Sequence, residues 1–429
     1  MEVLQKPYNE TNIGMLTVPS DWEVVKLGDN ASLKNGANFS TKDVGNGRLM
    51  VNVKDLYNFR PFVKIVDETR VEKIADSYIL KDGDILFVRS SLVREGVGFS
   101  AMYRNNGEET VYSGFIIRAR IESDKIFNPF IAYYLRSGLG RKKIISLAGT
   151  VTITNIGQEA LSMLPIPIPP LQEQQKISAI LSTLDEQIST TDKIIEKSKE
   201  LKKGLMQKLF SEGIGHTEFK NTKIGRIPKG WEVVRLEEVT SVCSSKRVHR
   251  SDYVADGIPF YRSKEIILKS KGLKIKSELY ISKEHFDKLK DKYNIPKKGE
   301  ILITAVGSLG IPYLIKDEEF YFKDGNLIWF RDISININPN YFLYCLNSPK
   351  IQNTIKVISG GSSQSALTMV KLNKMRILLP NIEEQQKIVD ILSEADAKIE
   401  KEQTQKAQLE ALKKGLMQQL LTGKKRVKV

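Results

Sequence analysis

Between residues 171 and 212 apolar side chains recur at every third or fourth position of an otherwise polar segment. The stripe runs through Ile177, Leu181, Leu184, Ile188, Thr191, Ile195 and Ser198, and Leu201, Leu205 and Leu209 continue it. That period marks one buried face of an amphipathic helix, and the alternation of threes and fours is that of a coiled coil. Residues 382 to 424 repeat the pattern with Ile388, Leu392, Ala395, Ile399, Glu402, Lys406, Leu409, Leu412, Leu416 and Leu420, apolar at both ends and polar in the middle. Pro169-Pro170 and Pro380 precede the two segments, and Glu173 and Glu383-Glu384 fall in the first turns, where negative charge suits the helix dipole. Each helix has a single apolar stripe to bury, so the two are expected to pair. The pairing is assigned to Ile177, Leu181, Leu184, Ile188 and Leu205 on the first and Ile388, Leu392, Ile399, Leu412 and Leu416 on the second.

The roughly 160 residues before each helix alternate short β-branched runs, such as Ile116–Ile121 and Ile301–Val306, with Gly, Asn and Ser breaks, the pattern of a mixed, strand-rich domain. The chain is in fact written twice, about 211 residues apart. Val18-Pro19-Ser20-Asp21-Trp22-Glu23-Val24-Val25 answers to Ile227-Pro228-Lys229-Gly230-Trp231-Glu232-Val233-Val234, and Leu201 to Gln207 recurs unchanged at Leu412 to Gln418. A duplication of this kind fixes the domain reading. The expected layout is a first domain over 1–170, a helix over 171–212, a linker over 213–226, a second domain over 227–381, a helix over 382–424 and a basic tail over 425–429. The fold class is α+β, with the two helices forming an antiparallel coiled coil about a pseudo-two-fold axis, because only that direction gives both copies equivalent surroundings.

Charge narrows the partner. The net charge is +15, and residues 171–212 and 382–429 together carry only two of it, so the excess lies on the domains. A polyanion is the natural partner. No run of 18 apolar residues supports a membrane span, and the N-terminal residues have no basic-then-apolar leader, so a cytoplasmic protein without membrane contact is expected. Cys243 and Cys345 are isolated and are expected to be reduced, buried small residues. His216, His249 and His285 have no metal spacing, and no phosphate-binding loop is present. No catalytic residue, metal or cofactor is therefore assigned. Asn128-Pro129 and Asn338-Pro339 lack the second proline of an amino-methyltransferase loop and read as helix starts; Trp22 and Trp231 read as core. A coiled-coil scaffold, a self-contained methyltransferase or nuclease, and an RNA-binding protein are the rival readings.

The signatures Leu171-Gln172-Glu173-Gln174-Gln175-Lys176-Ile177 and Ile382-Glu383-Glu384-Gln385-Gln386-Lys387-Ile388, the Pro-x-x-Trp openings and the Leu-Lys-Lys-Gly-Leu-Met-Gln helix ends resemble those of the specificity subunits of type I restriction-modification systems. The resemblance spans essentially the whole chain. It implies two target-recognition domains on double-stranded DNA, each reading half of a bipartite site, and helices that space them. It also implies docking of two DNA-methyltransferase (modification) subunits and of ATP-dependent restriction subunits, with the chemistry on those separate chains.

Base and phosphate contacts draw on Arg, Lys, Asn, Gln, Ser and Thr in loops. In the first domain these are Lys34, Asn35, Lys42, Arg89, Ser90, Ser91 and Arg94, with Thr150, Thr152, Thr154 and Asn155 in a loop before the closing strand. The second domain offers Lys246, Arg247, Arg250, Arg262 and Lys264, and the loop Ser362, Ser363, Gln364 and Ser365 at the place equivalent to that of Thr150. Residues 28–80 and 237–295 hardly align between the copies, which predicts two different half-sites and an asymmetric target.

Overall fold

The computed structural model describes residues 8–11, 16–150, 154–360 and 366–428. The chain forms two compact units, one of residues 1–193 and 403–429 and the other of residues 194–402. Each unit therefore holds one strand-rich domain, part of its own long helix and part of the other.

In the first unit a four-stranded antiparallel sheet is ordered Ala31–Asn35, Ile116–Ile121, Ile85–Val88, Ser100–Met102. All four residues of Ile85–Val88 are buried, because the alternation of a strand sends Ile85 and Phe87 to one core and Leu86 and Val88 to another. The first core lies under the helices Asn128–Arg136 and Gly138–Leu147; the second holds Val51, Leu56 and Tyr112 beside a smaller sheet ordered Thr110–Tyr112, Val44–Val51, Arg70–Val71. Glu23–Lys26 pairs antiparallel with Pro165–Ile168, joining the beginning of the domain to its end where the long helix departs.

The second unit repeats this plan. Its central sheet is ordered Ser241–Cys243, Leu327–Arg331, Ile301–Thr304, Pro312–Leu314, again with a doubly buried strand. Glu232–Arg235 pairs with Arg376–Leu379. Helices Pro339–Asn347 and Pro349–Ser359 cover the face bearing Ile301 and Ile303. Asn338 caps the first of these, its side chain accepting from the amides of Asn340 and Tyr341, and Pro129 likewise sits in the first turn of Asn128–Arg136. Both Asn-Pro pairs thus start helices.

The long helices are Leu171–Leu209 and Ile382–Leu420. Within the first unit their segments run antiparallel: Asp185 meets Lys413 and Asp192 meets Lys406, partners rising on one helix as they fall on the other. In the second unit Lys202 meets Asp396 in the same sense. Ile177, Leu181, Leu184, Ile188, Ile388, Leu392 and Ile399 are buried, and Leu205 and Leu416 are half-buried.

One pairing residue is corrected. Leu412 is 50% exposed, and the inward place belongs to Lys413. Counting threes and fours from Ile388 brings the seam through Leu409 to Lys413, Leu416 and Leu420; Leu412 is one residue out of step, attractive only for its side chain. The same slip applies to Leu201, which is exposed while Lys202 turns inward. Of the two free cysteines Cys345 is buried, whereas Cys243 is only half-buried, at the edge of the central sheet.

Candidate nucleic-acid interface

The helix-start signature positions each domain. Trp22 is 3% exposed, and its indole donates to Glu173 Oε2 at 3.1 Å; Trp231, 1% exposed, donates to Glu384 Oε2 at 2.9 Å. Each carboxylate takes its second partner from the chain that has just left the opposite long helix. Arg426 makes two bonds of 2.7 Å to Glu173 and also binds Asp21. At the equivalent place a ring nitrogen of His216 lies 2.8 Å from Glu384 Oε1, which also accepts from the amide of Ile214. The turns that deliver these groups use Gly213 and Gly423 at φ of 66° and 70°, the left-handed conformation with which helices commonly end. The next signature residue, Gln174, accepts from the Phe127 amide and donates to the Lys125 and Pro169 carbonyls; Gln385 does the same with Asn338, Asn336 and Pro380.

Deeper along each helix a second shared network holds the domain. Tyr133 donates to Asp185 Oδ2 at 2.8 Å while Lys413 meets Oδ1; Tyr344 donates to Asp396 Oδ2 at 2.8 Å while Lys202 meets Oδ1. Burial pushes the Lys413 ammonium below the usual lysine range, offset in part by Asp185. Burial first, and then the adjacent carboxylates, push the Tyr133 and Tyr344 phenols far up.

On this scaffold one end of the first central sheet gathers several candidates that are far apart in sequence. Asn35 ends one strand, Phe115 precedes the next, and Arg89 follows the third, its amide bonded to the Phe115 carbonyl at 2.9 Å. The hairpin Gly149–Thr150 with Thr154–Asn155 then adds Ser90–Ser91 as a third strand, pairing Asn155 with Ser90 and Thr154 with Ser91. Two loops named separately from the sequence are thus one surface. Arg89, Arg94 and Asn155 are exposed there, and Ser90, Ser91 and Asn35 half-exposed. Thr154 is corrected: at 4% exposure its side chain faces the body of the domain and is withdrawn from the contact set. Lys34 is half-buried, its ammonium donating to the Ser77 carbonyl and lying 4.2 Å from the Tyr78 ring centre. Lys42 is exposed in the turn Thr41–Asp43. Thr152 and the side chain of Thr150 lie outside the described residues.

The second unit has the same sheet end. The strand Leu327–Arg331 follows Asn326, whose carbonyl accepts from the Ala305 amide, and Val306 bridges Ala366; Ser362, Ser363, Gln364 and Ser365 lie outside the described residues. Lys246, Arg247 and Arg250 follow the edge strand and are exposed, Arg247 being tied to Asp324 at 2.8 Å. Arg262 and Lys264 are less available. Arg262 binds Glu265 and Glu278, and Lys264 also binds Glu278, whose carboxyl these two cations, Lys264 foremost, hold down at about 2.

Phe115, 66% exposed and bonded through its carbonyl to the Arg89 amide, and Leu92 and Val93, at 88% and 63%, are exposed apolar residues that reading by residue type missed. A search for polar contact residues passes over them; the available signal was an aromatic directly after Ser113-Gly114, a turn with little need of one. Trp22, Trp231, Tyr103, Tyr112 and Phe260 are all core.

The type I restriction modification DNA specificity domain matches the chain twice, over residues 19–200 and 228–411. A chain of Methanocaldococcus jannaschii assigned as the specificity subunit of the type I restriction enzyme MjaX is 30% identical over 436 residues, 99% of this chain and 98% of that one. The MjaVIII type I restriction enzyme specificity subunit of the same organism is 27% identical over 441 residues, covering 100% and 99%. The crystal structure of a type I restriction-modification S subunit from M. genitalium superposes with a TM-score of 0.54 at 17% identity, covering 93% of this chain and 96% of that one, a likeness of fold.

Proposed function

The chain belongs to the type I restriction-modification DNA specificity family, and from that premise we propose that it reads an asymmetric, two-part DNA target, one half-site per domain, while modification and restriction subunits docked on it carry out the chemistry. Its domains are the segments 1–170 and 227–381, its spacers the helices within 171–212 and 382–424, with 213–226 as linker and 425–429 as a basic tail. The spacing between the half-sites is set by the helices.

The observation that carries this reading is the equivalent sheet end in each repeat, where loop residues able to read bases stand on a scaffold whose tryptophan–glutamate, glutamine and tyrosine–aspartate–lysine bonds recur in both copies. The anchors match: Trp, Glu, Gln, Tyr, Asp and Lys recur in both units. The sheet ends differ in sequence: Arg89, Ser90 and Phe115 in one stand where Ala305, Val306 and Asn326 stand in the other. Repeated supports with unlike reading surfaces fit two unlike half-sites. Arg89, Ser90, Ser91, Asn35 and Asn155 are the contact set of the first, with Arg94 on the flanking phosphates. Lys246, Arg247, Arg250 and the loop Ser362 to Ser365 form that of the second, with Thr150 and Thr152 completing the first loop. Arg262 and Lys264 are secondary, since carboxylates already hold them, and Lys34 and Lys42 serve at most the backbone.

The test is base-resolution methylation in a methylation-free host co-expressing this chain with its modification subunit. A split, asymmetric motif that appears only with this chain is expected, and Arg89→Ala should relax bases in one half alone. A motif that is unsplit, or present without this chain, would overturn the proposal.

A further inference from the structure

Because the repeat offset of 211 is constant through the helices, each group in one unit has a counterpart in the other, and one pair of counterparts differs in what covers it. In the first unit the segment Asn58-Phe59-Arg60 of the domain lies over the Tyr133–Asp185–Lys413 network. The Asn58 carbonyl accepts from Arg136, the Phe59 ring centre is 4.2 Å from the Lys413 ammonium, and Arg60 donates to the Asp185 carbonyl at 3.1 Å. The covered side chains of Asp185 and Lys413 are 1% and 9% exposed.

In the second unit the counterparts of Arg136, Lys413 and Asp185 are Asn347, Lys202 and Asp396, and all three line an open cleft of about 670 Å³. There the Asp396 and Lys202 side chains are 44% and 22% exposed. Lys199, Lys203 and Lys356 stand around the cleft; Lys199 is paired with Glu196, whereas Lys203 and Lys356 have no ion-pair partner among the described residues. Met206 and Ile399 supply apolar lining.

We infer that this cleft is a docking site for one extended, acidic protein segment bearing an aromatic side chain, supplied by a partner subunit. The aromatic ring takes the place over Lys202 that Phe59 takes over Lys413, an arrangement in which ring and ammonium attract. Carboxylates on either side meet Lys203 and Lys356. A DNA backbone suits the cleft less well, because it has no ring to lie over Lys202. The first unit has already filled its own copy with residues 58–60, so the site is present once per chain. A partner bound there would distinguish one domain from the other, unlike partners that dock on the duplicated helices. The inference rests on the proposed role within a multisubunit assembly.

The test titrates full-length protein with a fluorescein-labelled synthetic hexapeptide, Asp-Glu-Phe-Glu-Pro-Asp, its counterpart with alanine for phenylalanine, and an unlabelled DNA duplex as competitor. Saturable binding of one peptide per chain is expected, weakened about tenfold by the double charge reversal K203E/K356E and by a similar factor on loss of the ring. Both lysines are exposed, so the variant should fold, and it should leave the methylation motif unchanged, which separates this outcome from failure of the proposed function. Absence of saturable binding, two peptides per chain, indifference to the ring or the lysines, or displacement by the duplex would each overturn the inference, the last by assigning the cleft to nucleic acid.

Discussion

Replacing Lys413 by methionine should cost far more stability than the same change at its repeat counterpart, Lys202. Both ammonium groups meet an aspartate on the other long helix that also accepts from a tyrosine, so the bonds are alike and the surroundings are not. The pair Lys413–Asp185 is 9% and 1% exposed, and the pair Lys202–Asp396 is 22% and 44% exposed. Deleting one partner of a buried pair leaves an uncompensated charge and costs about 3 to 5 kcal/mol, whereas a well-solvated pair contributes about 0 to 1 kcal/mol. With a denaturant dependence of about 2 to 3 kcal/mol per molar urea for a unit of this size, Lys413→Met should lower the midpoint by roughly 1 to 2 M. Lys202→Met should lower its own unit's midpoint by less than about 0.5 M. Hydrogen exchange read by mass spectrometry at increasing urea separates the two units, following the amides of 171–193 in one and 382–402 in the other. Replacing the whole first network, with Tyr133→Phe, Asp185→Leu and Lys413→Leu, should recover most of the loss, since apolar substitutes for a complete buried pair are often neutral. Equal shifts for the two single lysine variants would refute the argument that burial, and not the bond, sets the cost.

Arg426→Ala removes bonds to Glu173 and Asp21 and should destabilise the first unit by about 2 kcal/mol, seen as faster exchange at the start of the first long helix; no change there would show the tail to be dispensable. Burial pushes the Tyr112 and Tyr261 phenols up to about 12, and Tyr133, Tyr134 and Tyr313 further, while an unfolded chain releases these protons near pH 10. Folded-state values above the unfolded one give a contribution complete below pH 10 that is lost as pH rises through the folded values. Absorbance at alkaline pH should therefore show these tyrosines ionising together with unfolding, and a single titration near pH 10 in native protein would contradict it. Cys345, buried with its thiol pushed up to about 12, should resist a disulfide reagent until denaturant is added, and half-buried Cys243, at about 11, should react slowly; rapid labelling of both in native protein would be inconsistent with these positions.

The duplication, the two helices and the core tryptophans were legible because they rest on spacing, which one chain displays directly. Lys413 was not, because reading a seam by residue type favours Leu412, and a lysine is recognisable as internal only once Asp185 on the other helix is known to face it. The same limit governed the contact residues. Arg262 is an attractive cation in sequence, yet its charge is spent on Glu265 and on Glu278, the latter 16 positions away. The union of Arg89-Ser90-Ser91 with Asn155 depends on a strand pairing across more than 60 residues, which nothing local encodes. Thr154, one residue from exposed Asn155, is buried because neighbours on a strand face opposite ways.

The first unit is closed by residues 403–429, which are synthesised after everything they pack against. The first domain and the opening turns of its helix are synthesised early, yet Leu420 and Leu421, which complete their core, and Arg426, which satisfies Glu173, follow more than 200 residues later. At about 5 to 20 residues per second the interval is roughly 10 to 50 s, during which the core that holds Ile177 and Leu181 lacks Leu420 and Leu421. The second unit, formed from the contiguous residues 194–402, has all its parts before then. Translation thus imposes an order on two halves built on one plan: the later-coded domain can mature first, and the earlier one waits with an incomplete apolar core, the stage at which a nascent chain is most open to chaperone binding or to pairing with a neighbouring copy on the same message.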